Sequence, residues 1–238
     1  MEDTNLENKA SNPKESPSQI AGAILIVGLI IAGAVLLKDS TPPSKVASPQ
    51  TAGFAEIKPI NLTEDRILGS KSAEVTLVMY EDFNCHWCVK FNSESEKAIK
   101  DNFVPTGAVS LVYRDFPFLS PTSFRAAEAG MCAHDQGKFW EFHDVVFTNQ
   151  AGASKITLED LNLKAFAKTA GLDTLAFDQC LDSGKHTEAV LQSKDEGAQA
   201  GVKGTPKGFI LKDGKVIDTI DGYMTVEGTT QKIEAALE

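Results

Sequence analysis

VTLVMYEDFNCHWCVKF, Val75 to Phe91, joins two opposite sequence patterns at a pair of cysteines. The β-branched and apolar run Val75 to Tyr80 has the composition of a short strand buried on both faces. From His86 onward the period changes. Cys88, Phe91, Ala98, Ile99 and Phe103 recur at helical spacing, Asn84 stands where a helix cap belongs, and Pro105 with Gly107 ends the segment. The stretch therefore predicts a strand running directly into a helix, with Cys85 and Cys88 at the junction. The first turn of a helix carries unpaired N–H groups and the positive end of the macrodipole, which favour a thiolate over a thiol. Cys85 is the candidate nucleophile. Cys88 lies one turn on along the same side, placed to resolve a mixed disulfide. A protonated His86 adds a cation that favours the thiolate, and Trp87 offers an apolar face to a loosely folded substrate.

Working outward, Val109 to Tyr113 repeats the strand signature, so the first half reads as strand, helix and parallel strand. Helical stretches follow at about 121–136, 138–149, 157–170, 173–183 and 186–201, forming an insert over residues 120–201. Gly208 to Leu211, an Asp213-Gly214 turn and Val216 to Ile220 predict a hairpin, and a last helix covers about 225–237. The fold class is α/β, in one domain over residues 54–238. Pro206 precedes a strand, where proline is poorly tolerated. A cis Thr205-Pro206 bond removes the conflict and brings the Thr205 backbone opposite the dithiol, where it can pair with an extended substrate.

The preceding segments set the compartment. Residues 1–19 are polar and too poor in apolar groups to fold alone, and are expected to be a disordered cytoplasmic tail. Residues 20–37, IAGAILIVGLIIAGAVLL, carry no charge and as a helix span roughly 27 Å, near a hydrocarbon core of about 30 Å. This is the expected transmembrane anchor. A cleaved secretory signal is the alternative, with Ala32 to Ala34 as the small-residue site. Residues 38–53 are rich in Pro, Ser and Thr and read as a tether. Lys9 and Lys14 on one side balance Lys38 and Lys45 on the other, so the positive-inside count gives no orientation. A dithiol that exchanges disulfides belongs on the oxidising side, which places the N-terminus in the cytoplasm of a bacterial cell membrane and the domain outside it. A formal charge of -10, with no Lys or Arg cluster, excludes a nucleic-acid partner.

A lone C-x-x-C also serves as half of a zinc site. Such a site needs two more ligands, and Cys132, Cys180, His134, His143 and His186 form no spaced pair to supply them. No metal and no cofactor is expected, and a metal carrier using Cys85, His86 and Cys88 is the competing function. Phe139, Trp140, Phe142, Val145, Val146 and Phe147 read as core, His143 as a core or surface histidine beside them, and Glu94 to Lys100 as a solvated helix face.

With the motifs in place, the chain resembles the DsbA-like thioredoxin-fold oxidoreductases, particularly the membrane-anchored or secreted bacterial group. The resemblance rests on Val75 to Phe91, on VYRDFPF at Val112 to Phe118 and on GTPKGFI at Gly204 to Ile210, and it extends from about residue 60 to the end. It implies a thioredoxin-like fold with a helical insertion and disulfide transfer to exported proteins that contain cysteines. It further implies Cys85 as nucleophile, Cys88 as resolver, a substrate-binding loop at Thr205 and Pro206, and a quinone-linked redox partner in the membrane. Some members carry a second, structural disulfide in the insert, so Cys132 and Cys180 are expected to pair outside the cytoplasm, adding about 3 to 4 kcal/mol. Three departures stand out. His-Trp replaces the commoner Pro-His or Pro-Tyr between the cysteines, so oxidase, isomerase and reductase directions are all compatible. A glutathione-dependent isomerase is a further alternative that the anchor disfavours. Met79 occupies the position where relatives bury a carboxylate, leaving Asp82 or water to move protons, and Lys207 follows the proline, where it can favour the thiolate or acidic substrates.

Overall fold

The structure, a computed structural model, describes residues 56–152 and 156–238; the expected tail, anchor and tether, residues 1–53, lie outside the described residues. Among the described residues no helix is long and apolar enough to cross a membrane. The chain enters through β1 (Arg66–Gly69) and β2 (Val75–Glu81), then α1 (His86–Phe91), a π-helical segment at Asn92–Glu96 and α2 (Lys97–Asn102). β3 (Val109–Asp115) leads into the insert, α3 (Pro121–Asp135), α4 (Phe139–Gln150), α5 (Asp160–Thr169), α6 (Thr174–Ser183) and α7 (Thr187–Gln199). β4 (Lys207–Lys212), β5 (Lys215–Asp221) and α8 (Val226–Leu237) complete it.

Among the described residues the strands form one sheet in the order β1-β3-β2-β4-β5. β2 and β3 run parallel, Val75 opposite Val109, joined by the helical crossover that the sequence predicts, and the other neighbours are antiparallel. Alternation along β2 divides the core. Val75, Leu77 and Met79 face Phe91, Ile99 and Ile233, while Val78 and Tyr80 face Phe116, Ala200 and Phe209. Gly197 lets α7 close on the second face: a Cβ there would come within 2.8 Å of Phe116 and 2.9 Å of Tyr80. The insert builds a third cluster around Phe83, Phe142, Phe147 and Phe177, which reaches Cys85 and Cys88.

Four details depart from the sequence reading. β1 was not foreseen, because RILG is a short edge strand with no alternation to reveal it. The first helix is not one regular unit but is interrupted by the π-helical segment. Asn84 is not its cap; Cys85 holds that position with φ -80° and ψ 122°, while the Asn84 amide donates to Ser120 Oγ at 2.9 Å. Glu94 to Lys100 is a solvated face only in part: Glu94 and Lys97 are exposed, but Glu96 is buried and its carboxylate pairs with Lys100 at 2.7 Å.

Candidate active site

Cys85 is held by the turn that ends β2. Its N–H donates to the Asp82 carbonyl at 2.9 Å, and its own carbonyl accepts the Val89 N–H at 3.0 Å, the first bond of the helical run. The Asp82 carboxylate accepts the N–H groups of Asn84 at 2.8 Å, Phe118 at 3.1 Å and Leu119 at 3.3 Å. That carboxylate braces two loops. The Thr205-Pro206 peptide is cis. Its loop lies against the nucleophile, with the Thr205 carbonyl 3.3 Å from Cys85 Sγ. Gly222, at φ +72° where a side chain is strained, donates its N–H to the Pro206 carbonyl at 3.0 Å and anchors the loop to the end of β5.

The two sulfurs differ in charge. Cys85 is brought from an ordinary 9.0 to about 6, first by the hydrogen bond from the Cys88 thiol, then by the Thr205 side chain and the Cys88 and Trp87 N–H groups, against the opposing push of burial. Cys88 is fully buried and moves the other way, pushed well up by burial, by its bond to Cys85 and by the charge of Glu81. Near neutral pH the site therefore holds a thiolate at Cys85 and a thiol at Cys88. His86 is not among the main causes of this; it is exposed and lays its ring edge-on to Trp87 at 5.2 Å. Trp87 is half exposed and stacks on Tyr223 at 5.9 Å, with the Lys90 ammonium 4.4 Å over the Tyr223 ring. Lys207 does not face the sulfurs as the sequence suggested, because it pairs with Asp221 across the hairpin and covers the Phe209 ring.

Sequence reasoning missed Glu81. It is buried, and both carboxylate oxygens lack a hydrogen-bond partner among the described residues. Burial, first of all, and the nearby Glu96 charge push its pKa well up. The signal was available: Glu81 continues the Val75, Leu77, Met79 face of β2, where a carboxylate breaks an apolar row. An oxygen of Glu81, an oxygen of Glu96 and a ring nitrogen of His143 lie within 4.8 Å of one another. His143 is in the core, ringed by Phe83, Tyr113, Phe139, Trp140 and Phe147. Cys85 and Cys88 belong to no three-ligand group among the described residues. In the insert, Cys132 of α3 and Cys180 of α6 are joined by a disulfide with Cα atoms 5.9 Å apart.

This chain is similar to several known proteins. The thioredoxin family pattern matches residues 61–235. A Na(+)/H(+) antiporter NhaA 3 of Salinispora tropica is 30% identical over 154 residues, 64% of this chain but only 22% of that much longer protein. A probable disulfide bond formation protein D of Bacillus cereus is 26% identical over 191 residues, 79% of this chain and 88% of the relative. Among solved structures, Wolbachia pipientis alpha-DsbA1 superposes with a TM-score of 0.66 at 25% identity, covering 75% of this chain and 93% of that one. The matched span takes in both halves of the sheet, the insert between them, the dithiol and the cis-proline loop, and on that ground the chain belongs to the thioredoxin family.

Proposed function

We propose that the protein forms disulfides in exported proteins, with Cys85 as the exchanging sulfur and Cys88 as its buried partner. The observation that carries this reading is the charge asymmetry of the pair: an acidic Cys85 beside the Thr205 carbonyl, backed by a fully buried Cys88 thiol. A stabilised thiolate makes the disulfide form easier to reduce, so electrons run from substrate thiols to the enzyme. A substrate thiolate attacks Cys85 Sγ, the Cys85–Cys88 bond breaks, and Cys88 leaves and takes up a proton. A second substrate thiolate then attacks the substrate sulfur of the mixed disulfide, forming the product disulfide and releasing Cys85 as a thiolate. Two electrons pass to the enzyme, and a quinone-linked membrane partner removes them. Thr205 and Pro206 hold the substrate backbone, and Trp87, Phe118 and Leu119, all substantially exposed, receive its apolar side chains. Residues 20–37 anchor the domain on the outer side of the bacterial cell membrane.

Replacing Cys85 with Ser is expected to abolish exchange, and Cys88→Ser to accumulate substrate-linked mixed disulfides. Normal refolding activity in the Cys85 variant overturns the assignment. A second reading runs the same site as an isomerase or reductase, favoured by the unusual His86-Trp87 dipeptide. Titration against glutathione separates the two, since a potential well below the glutathione couple rules out the oxidase direction. Stoichiometric zinc or copper in protein purified under reducing conditions would instead support a metal carrier.

A further inference from the structure

Opening or closing the Cys85–Cys88 bond requires the buried Cys88 to gain or lose a proton, and a bound substrate covers the face on which Cys85 opens. Behind that face a second set of polar groups runs outward from Glu81. The Nε2 atom of His143 makes no hydrogen bond among the described residues and lies 3.6 Å from Glu96 Oε1. Its Nδ1 atom is 2.8 Å from the Asp144 carboxylate, so in the neutral ring Nδ1 carries the hydrogen and Nε2 is free to accept one. Burial keeps the ring neutral, with Glu96 and Asp144 pulling the opposite way and Lys100 reinforcing it. Asp144 is more than half exposed and stays ionised against the push of burial, held by His143 and Lys100. It lines a groove of ≈ 500 Å³ between the π-helical segment, α2 and α4, together with Asn92, Lys97, Lys100 and Thr148. None of these residues belongs to the face formed by Cys85, Trp87, Thr205 and Pro206.

We propose that Glu81, His143 and Asp144 form a proton path joining Cys88 to solvent in this groove, on a side of the molecule that substrate does not occupy. This rests on the oxidoreductase reading above. When Cys88 attacks a mixed disulfide at Cys85, its S–H proton passes to Glu81, the Glu81 proton passes to His143 Nε2, and the Nδ1 proton passes to Asp144 and water. One proton leaves, the Cys88–Cys85 bond forms, and the bound thiol departs with the electron pair of the broken bond. The opposite half of the redox cycle runs the hops backward and restores the ring to its first tautomer. The groups facing the path are Glu96, paired with Lys100 at 2.7 Å and accepting from the Asn92 amide at 2.9 Å, Lys100 itself, paired also with Asp144 at 2.7 Å, and the Tyr113 hydroxyl and Trp140 indole N–H. The two cysteines complete the set. Although Glu81, Glu96 and His143 converge, a cation among them would meet the Lys100 ammonium, so a proton suits the cluster better than a metal.

The test uses the reduced full-length protein and an aromatic disulfide, dithiobis(nitrobenzoate), which releases one coloured thiolate when Cys85 attacks and a second when Cys88 resolves the adduct. In His143→Phe and Asp144→Asn the first release is expected within about twofold of the native rate. The second is expected to slow by about tenfold or more near neutral pH, with an altered pH profile. Added imidazole or formate buffer is expected to restore it in Asp144→Asn in proportion to concentration, which a merely structural role would not produce. A second release within about twofold of native in both variants, or slowing that no buffer rescues in Asp144→Asn, overturns the path. Failure of the first release in the native protein would instead remove the oxidoreductase reading.

Discussion

The largest cause of the acidity of Cys85 is the hydrogen bond from the Cys88 thiol, and this makes the second cysteine an electrostatic as well as a chemical partner. Cys88→Ala removes that donor and leaves the helix terminus, the Thr205 loop and the fold in place. A hydrogen bond to a charged group contributes about 1.5 to 3 kcal/mol, and a thiol is a weak donor, so the low end applies. About 1.4 kcal/mol corresponds to one pH unit, which moves the Cys85 midpoint from about 6 to roughly 7. Cys88→Ser keeps a donor at the same place and is expected to stay within about half a unit of native. The change is read from the ultraviolet absorbance of the thiolate against pH, with Cys85→Ser as the blank. Alkylation by iodoacetamide gives an independent reading, since at about pH 6 the thiolate fraction falls from about one half to about one tenth. Should Cys88→Ala titrate with the native midpoint, the Thr205 side chain and the backbone N–H groups would carry the effect and the coupling of the two sulfurs would be refuted. A native midpoint near that of a free thiol would undo the electrostatic account of the site altogether.

Cys85 also links redox state to stability. Between about 6 and 9.0 the unfolded thiol holds a proton that the folded one has lost, so the reduced protein gains stability relative to the oxidised form as pH rises through that window, and loses the gain as pH falls through about 6. Urea midpoints of both forms across that range check the sign. Removing the Cys132–Cys180 bridge by a double Ala substitution, across a separation of 48 residues, is expected to lower stability by about 3 to 4 kcal/mol while leaving the first exchange at Cys85 intact. Activity lost in step with stability would contradict that separation. Arg66 and Asp115 form an ion pair buried beneath the insert, so Arg66→Met leaves a carboxylate unpaired and should cost about 3 to 5 kcal/mol in thermal or urea unfolding. A cost under about 1 kcal/mol would mean that water reaches the pair.

Much of this protein is legible along the chain because its information is local. The change from an apolar strand pattern to helical spacing at residues 80–86 is written in neighbouring residues, and it alone places Cys85 at a helix start. The pattern of the insert helices and the 213–214 turn follow from periodicity and turn chemistry in the same way, with boundaries that agree to within a few residues. Lys207 and Asp82 show the limit. Each is a reasonable participant by position in sequence, yet Lys207 is drawn to Asp221 by strand pairing and Asp82 to three backbone N–H groups by loop closure. The acid beside Cys88 was sought at position 79 and lies at position 81, two residues on along the same face of β2.

The amino-acid sequence by itself determined the strand-to-helix junction and the spacing of the dithiol, since each depends on residues within one or two turns of one another, while the place of Pro206 opposite them followed from the order of the elements. Only the tertiary structure decided that Glu81, Glu96 and His143 meet, that Asp144 opens to a groove away from the cysteines, and that Cys88 rather than His86 governs the charge on Cys85. Those facts depend on packing α4 against β1, α1 and the π-helical segment, which brings residues far apart in the chain into a medium where water no longer screens their charges.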